Sequence, residues 1–195
     1  MKIPTPQNEL RCDSETRSQL ELFIAQPEPA DLAPCPGCGH HEPETCSGQC
    51  EQASKALSIE PERYPIESKV VPLVFELTAS RLLQTCWSCE GHMDHNNKLW
   101  KVPQVSFYCE SPIYPKLVLI HLSRLFQSKM LGYRWHVVLS DFTQTLSLTY
   151  SIQPDLNQED APRLGLLQQD LQIISDDMHS RLKLIASELL HTHCH

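Results

Sequence analysis

The sequence predicts an α+β protein, a small antiparallel or mixed sheet covered by amphipathic helices. Three observations carry that expectation. Leu164, Leu167, Leu171, Ile174, Met178, Leu182, Ile185 and Leu189 form one apolar stripe at helical spacing over about seven turns. Trp135, Val137 and Leu139, then Leu146, Leu148, Tyr150 and Ile152, alternate with more polar neighbours at period two, as strands with one buried face do. Val105, Phe107 and Cys109 repeat that alternation.

Read in order, the chain divides into an amino-terminal helix and proline-rich spacer over 1–34, a cysteine loop and linker over 35–68, and an α+β main domain over 69–195. Ser14 is placed to cap a helix through about Ala25, carrying Leu20, Phe23 and Ile24 on one side. The run from Gln26 to Pro34 then blocks regular structure with three prolines. A helical segment is expected from about Gln49 to Leu57, and a loop with Pro61 and Pro65 follows it. From Pro72 the spacing of Val74, Leu77, Arg81 and Leu82 suits a helix with proline in its first turn, although Val70-Val71 also allows a strand. A loop is expected from Thr85 to Pro103, then the strand at Val105. Pro115 opens a helix to about Leu131 that Gly132 ends. The two later strands form a hairpin around Asp141 to Gln144, and the long stripe is one continuous helix beyond Pro162. Its heptad-like spacing also allows a homodimer seam; packing on the sheet is the preferred use.

The 195 residues are 41% hydrophobic and 21% charged, enough to build a core without a disulfide framework. No apolar run spans a bilayer, and the first residues lack the apolar stretch of a secretory signal, so the expected compartment is the cytoplasm. A net charge of −8 with scattered Lys and Arg gives phosphates little attraction, so nucleic acid is not the expected partner; a protein or small molecule is. There is no Walker lysine loop, dinucleotide glycine fingerprint, Gly-x-Ser-x-Gly elbow or His-Glu-x-x-His, which removes support from the common nucleotide and hydrolase classes.

Nine cysteines in a reducing compartment point to metal ligands or catalytic thiols. Cys35-Pro-Gly-Cys38-Gly is a turn that aims two thiols at one point. Cys46 and Cys50, four apart, share one face of an incipient helix. Together they suit a structural Zn²⁺ site with four sulfurs, closed to substrate; His40 or His41 in place of one thiol, an iron–sulfur cluster, or unligated thiols are the alternatives. The knuckle resembles those of zinc ribbons and treble clefs, and the second pair on a helix resembles the latter.

A second constellation lies in Thr85-Cys-Trp-Ser-Cys-Glu-Gly-His-Met-Asp-His95. Cys86, Cys89, His92 and His95 are spaced three apart and suit a second zinc site, catalytic if a water position stays open, with Glu90 as general base. Alternatively Cys86 and Cys89 form a redox dithiol, or Cys89 is a nucleophile activated by His92. The plain alternative is a structural turn. Trp87-Ser-Cys-Glu-Gly-His92, followed by Pro103-Gln-Val-Ser-Phe-Tyr108, resembles a turn and aromatic strand of small bacterial proteins of unassigned function, which implies that the turn is a site. Its Ser-Cys-x-Gly core is more faintly similar to the wybutosine-synthesis methyltransferases of archaea, a tRNA-modification fold. His92 stands where that family has a basic residue, and the negative charge opposes RNA, so that activity is not carried over. At the carboxyl end, His191, His193 and His195 are weaker metal candidates that also complement a helix dipole. Cys12 and Cys109 read as single thiols, exposed and buried respectively. The leading expectation is a zinc-bearing binding or interaction module, with a metal-dependent enzyme centred on 86–95 as its rival.

Overall fold

The computed structural model describes residues 12–27, 60, 63, 66–140, 148–156 and 162–194. The four cysteines of the 35–50 loop, the helix expected at 49–57, the hairpin turn at 141–144 and His195 lie outside the described residues. The fold is α+β, and its main sheet is antiparallel throughout. Helix α1 (Ser14–Ile24) is followed by α2 (Val71–Ala79), then strands β1 (Gln84–Cys89), β2 (His92–Met93), β3 (Leu99–Lys101) and β4 (Gln104–Tyr108). Helix α3 (Ile113–Gln127), strands β5 (Trp135–Ser140) and β6 (Thr149–Pro154), and helices α4 (Leu164–Ser175) and α5 (Met178–His193) complete it. The four-stranded sheet has the order β1-β4-β6-β5, and β2 and β3 form a separate hairpin.

One sheet face supplies Val105, Phe107 and Ile152 to the core, where Leu73, Leu77, Leu117, Leu122 and Trp135 meet them. Leu20 and Phe23 of α1 belong to the same core, so the amino-terminal helix shares it with the rest of the chain. The predicted stripe is used inside the chain as well. Leu167, Leu171, Ile174, Met178, Leu182 and Ile185 are all buried there. Fully burying each such side chain contributes about 1.5–3 kcal/mol, so this stripe is a principal source of stability.

Several boundaries differ from the sequence reading. Asp13, one residue before Ser14, caps α1 by accepting the Thr16 N–H at 2.8 Å. Helix α2 stops at Ala79 because Arg81 takes a left-handed backbone (φ 56°), and the Ser80 hydroxyl accepts from Leu83 N. The expected loop after Thr85 holds strands β1 to β3. Helix α3 ends at Gln127, before Gly132, because Lys129 adopts φ 57° and Met130 N bonds back to Leu125 O in a Schellman arrangement. The long terminal helix is two helices. Asp177 takes φ 51°, Arg181 donates to Asp176 O at 3.1 Å, and Glu76 accepts the His179 N–H at 2.9 Å, so groups from elsewhere satisfy the broken turn. Strands β5 and β6 do pair antiparallel, from Trp135↔Pro154 to Ser140↔Thr149. Leu148, however, is 53% exposed while Ser151 is fully buried, so the expected alternation fails at that end.

Two buried polar groups tie the layers together. Asp170 accepts Gly132 N, Tyr133 N and Trp135 Nε1 at 2.8–2.9 Å, which fixes the chain between α3 and β5 against α4. His121, buried in α3, places Nε2 3.1 Å from Ile174 O at the end of α4. Burial holds the His121 pKa below its usual 6.5; the Ile174 bond opposes this, and Arg181 and Arg124 add to it. A depressed histidine contributes stability in full above about pH 6.5, and that contribution is lost as pH falls from there through the folded value. Urea midpoints measured between about pH 8 and pH 5 are therefore expected to drop on the acid side in the native chain, and to drop less in His121→Gln.

Candidate metal centre

Strand β1 is a bulged edge strand. Its register against β4 shifts between Thr85 and Trp87, and Cys89 pairs with Gln104 at its end. The chain then reverses through Glu90 and Gly91 into β2. Gly91 has φ +85°, and a Cβ there would stand 2.7 Å from Leu164 Cδ1 and 2.8 Å from Pro103 Cδ, so both the turn and the packing require glycine. Around this reversal the segment before α2 folds over. Glu67 Oε2 accepts Glu90 N at 2.7 Å, Glu90 Oε2 accepts Lys69 N at 2.9 Å, and Gln168 of α4 donates to Glu90 O at 3.1 Å.

These bonds bring three chemically different ligands together. Glu67 Oε1, Cys89 Sγ and His92 Nε2 offer donor atoms that all lie within 4.8 Å of one another. His92 Nε2 is 2.9 Å from Glu67 Oε1, and the Cys89 thiol also engages the Glu67 carboxylate. Ligand atoms on a tetrahedral zinc sit about 3.3–3.8 Å apart, so the histidine–carboxylate pair would have to widen slightly to take an ion. Cys89 is 2% exposed; His92 is more open, with 38% of its side chain accessible, and its ring stacks on Trp100 at 6.0 Å. Lys101 places its ammonium over the Trp87 ring at 4.5 Å on the neighbouring hairpin.

The surroundings of the Cys89 thiol favour its protonated form. Burial pushes the Cys89 pKa up, and the Glu67 charge adds to this, against the Gly91 N–H that points at the sulfur from 3.4 Å and against Lys101. Burial also raises the exposed-strand Cys86. A redox pair of Cys86 and Cys89 is not assembled. Three residues along an extended strand separate their backbones by about 10 Å, beyond disulfide reach, and both are free thiols.

The sequence-predicted residues therefore part company. Cys89 and His92 converge; Cys86 and His95 do not join them. His95 is exposed in the β2–β3 turn, beside the Asn96 amide at 3.0 Å, and Asp94 holds that turn by accepting Asn96 N and Lys98 N at 2.8 Å. The Glu90 side chain accepts Lys69 N, while its own backbone N–H and carbonyl are held by Glu67 and Gln168. His191 and His193 sit in the last turn of α5, where Cys194 is disulfide-bonded to Cys12, so neither cysteine is a single thiol and Cys194 is not a metal ligand. Cys109 is the half-buried single thiol, with its pKa pushed up to about 12 by burial. Glu67 is the member of this candidate cluster that sequence reading missed. It lies in the linker before α2, and its only visible signal was being a carboxylate beside a proline-containing loop.

Gly91→Ala is expected to cost about 3 kcal/mol, from the strained backbone plus the two close contacts, read as a fall in urea midpoint. In metal-free folded protein, iodoacetamide is expected to label Cys86 well before Cys89; the reverse order would favour the reading of Cys89 as a nucleophile. No family model matches the chain, and neither a curated protein nor a solved structure does, so its chemistry is argued from these residues alone.

Proposed function

We propose that the protein is a zinc-dependent enzyme whose ion is held by Glu67, Cys89 and His92, with the remaining coordination position taken by water. The convergence of those three donor atoms is the observation that supports this reading. It is the metal-dependent alternative of the sequence analysis, with Glu67 replacing Cys86 and His95 in the ligand set. One sulfur, one nitrogen and one oxygen suit Zn²⁺, which accepts all three. Three protein ligands leave room for solvent, and His92 is open to it. A zinc ion held by Glu67, Cys89 and His92 would supply a Lewis acid able to polarise bound water, and metal-assisted hydrolysis is the reaction class that this chemistry suits. The Glu67–Glu90 and Gly91–Cys89 bonds hold the ligands' backbone in place, the supporting role that neighbouring hydrogen bonds play in metal sites.

The cysteines at 35, 38, 46 and 50 enter the proposal as a separate structural zinc site, supported by their spacing. No helix among the described residues is long and apolar enough to cross a membrane, and a cytoplasmic location belongs to the same proposal. Metal analysis separates the two sites. The full chain is expected to hold two zinc equivalents, one lost in Cys89→Ser or His92→Ala and the other in Cys35→Ser. One equivalent unaffected by Cys89→Ser would return the protein to a module with a structural zinc only.

A further inference from the structure

The disulfide between Cys12 and Cys194 joins residues 182 apart in sequence, with their Cα atoms 5.0 Å apart. Cys12 lies just before Asp13, the cap of α1; Cys194 closes the last turn of α5, donating its N–H to Leu190 O at 3.3 Å. The bond thus ties the first turn of one helix to the last turn of the other. It lies outside the metal-centre chemistry and uses neither Glu67, Cys89 nor His92.

The surroundings favour exchange. Both sulfur-bearing residues line a surface cavity with Thr16, Lys116, Leu189 and His193. Cys12 is half-buried and is the more accessible of the pair, since Cys194 is buried. The helix pair also has holds that do not need the bond. Arg17 Nη1 donates to Cys194 O at 3.2 Å, the Tyr114 hydroxyl donates to Gln19, and Leu20 and Phe23 are anchored in the core. Breaking the disulfide therefore loosens the two ends while the core contacts remain.

We propose that Cys12–Cys194 is a reversible redox latch, which a dithiol reductant opens to free the start of α1 and the end of α5 without unfolding the core. In the opening step a reductant thiolate attacks Cys12 Sγ. A mixed disulfide forms, the Cys12–Cys194 bond breaks, and Cys194 leaves as thiolate and takes a proton from solvent. The reductant's second thiolate then attacks its own bound sulfur and releases Cys12. The reductant ends as a disulfide, and two electrons have passed to the protein. In a reducing compartment such bonds are characteristically transient ones.

Hydrogen exchange of the full chain, read by mass spectrometry with and without dithiothreitol, tests this. Reduction is expected to speed exchange at least tenfold in peptides from the first turn of α1 and the last turns of α5, while α3 and β4 keep their protection. Oxidised glutathione should restore the slow pattern. Iodoacetamide should label Cys12 and Cys194 only after reduction, and Cys12→Ser/Cys194→Ser should exchange like the reduced chain with or without reductant. Three results would overturn the latch: both cysteines labelling in unreduced, denatured protein; unchanged exchange on reduction; or loss of protection throughout the chain. A bond that yields to dithiothreitol only after global unfolding would overturn it too.

Discussion

The carboxylate of Glu67 is the constraint on which the candidate metal centre depends. One oxygen accepts the Glu90 backbone and the other faces the His92 ring, so a single side chain fixes both the path of the reversal and the direction of its imidazole. Without it, the turn between β1 and β2 would be held chiefly by the Glu90–Lys69 bond, by Gln168 and by the packing of Gly91 near Leu164. The arrangement works only because glycine at 91 lets the backbone approach Pro103 and Leu164 closely enough to be clamped from both sides.

The rest of the fold serves that placement. Burial of Val105, Phe107 and Ile152 against the helices holds β4 and β6 in place, and β1, carrying Cys89 at its end, registers on β4. The Asp170 bonds and His121 fix α4 against α3, which positions Leu164 and Gln168 at the turn. A buried carboxylate with three N–H partners is well satisfied, whereas removing it would leave those donors unpaired at about 1–3 kcal/mol each.

Much of this was legible in the sequence, and the failures have physical causes. The period-two runs located β4, β5 and β6 because Val105, Phe107, Trp135 and Ile152 turn to the core, although Ser106 and Ser151 on the other face are buried as well. The 164–189 stripe correctly marked buried residues, but four-residue spacing from Ile174 to Met178 to Leu182 continues across the break. The kink is held by side-chain bonds to freed backbone groups, a local one from Arg181 and a tertiary one from Glu76, which periodicity does not register. Strand β1 was hidden because an edge strand with a bulge shows no clean alternation. Cys89 and His92 stood out through their local density of reactive groups. Glu67 did not, because the contacts that bring it to Cys89 and His92 span more than twenty residues. Cys12 and Cys194 escaped pairing for the same reason, since they meet only when α1 and α5 pack side by side.

The ligand set itself is the most direct point of attack. X-ray absorption at the zinc edge, on a chain with Cys35, Cys38, Cys46 and Cys50 replaced by serine, reads the atoms around whatever ion remains. The account predicts one sulfur at about 2.3 Å and nitrogen or oxygen neighbours at about 2.0–2.1 Å, with the sulfur lost in Cys89→Ser. A folded chain of that composition that holds no zinc, or holds it without sulfur, would contradict it.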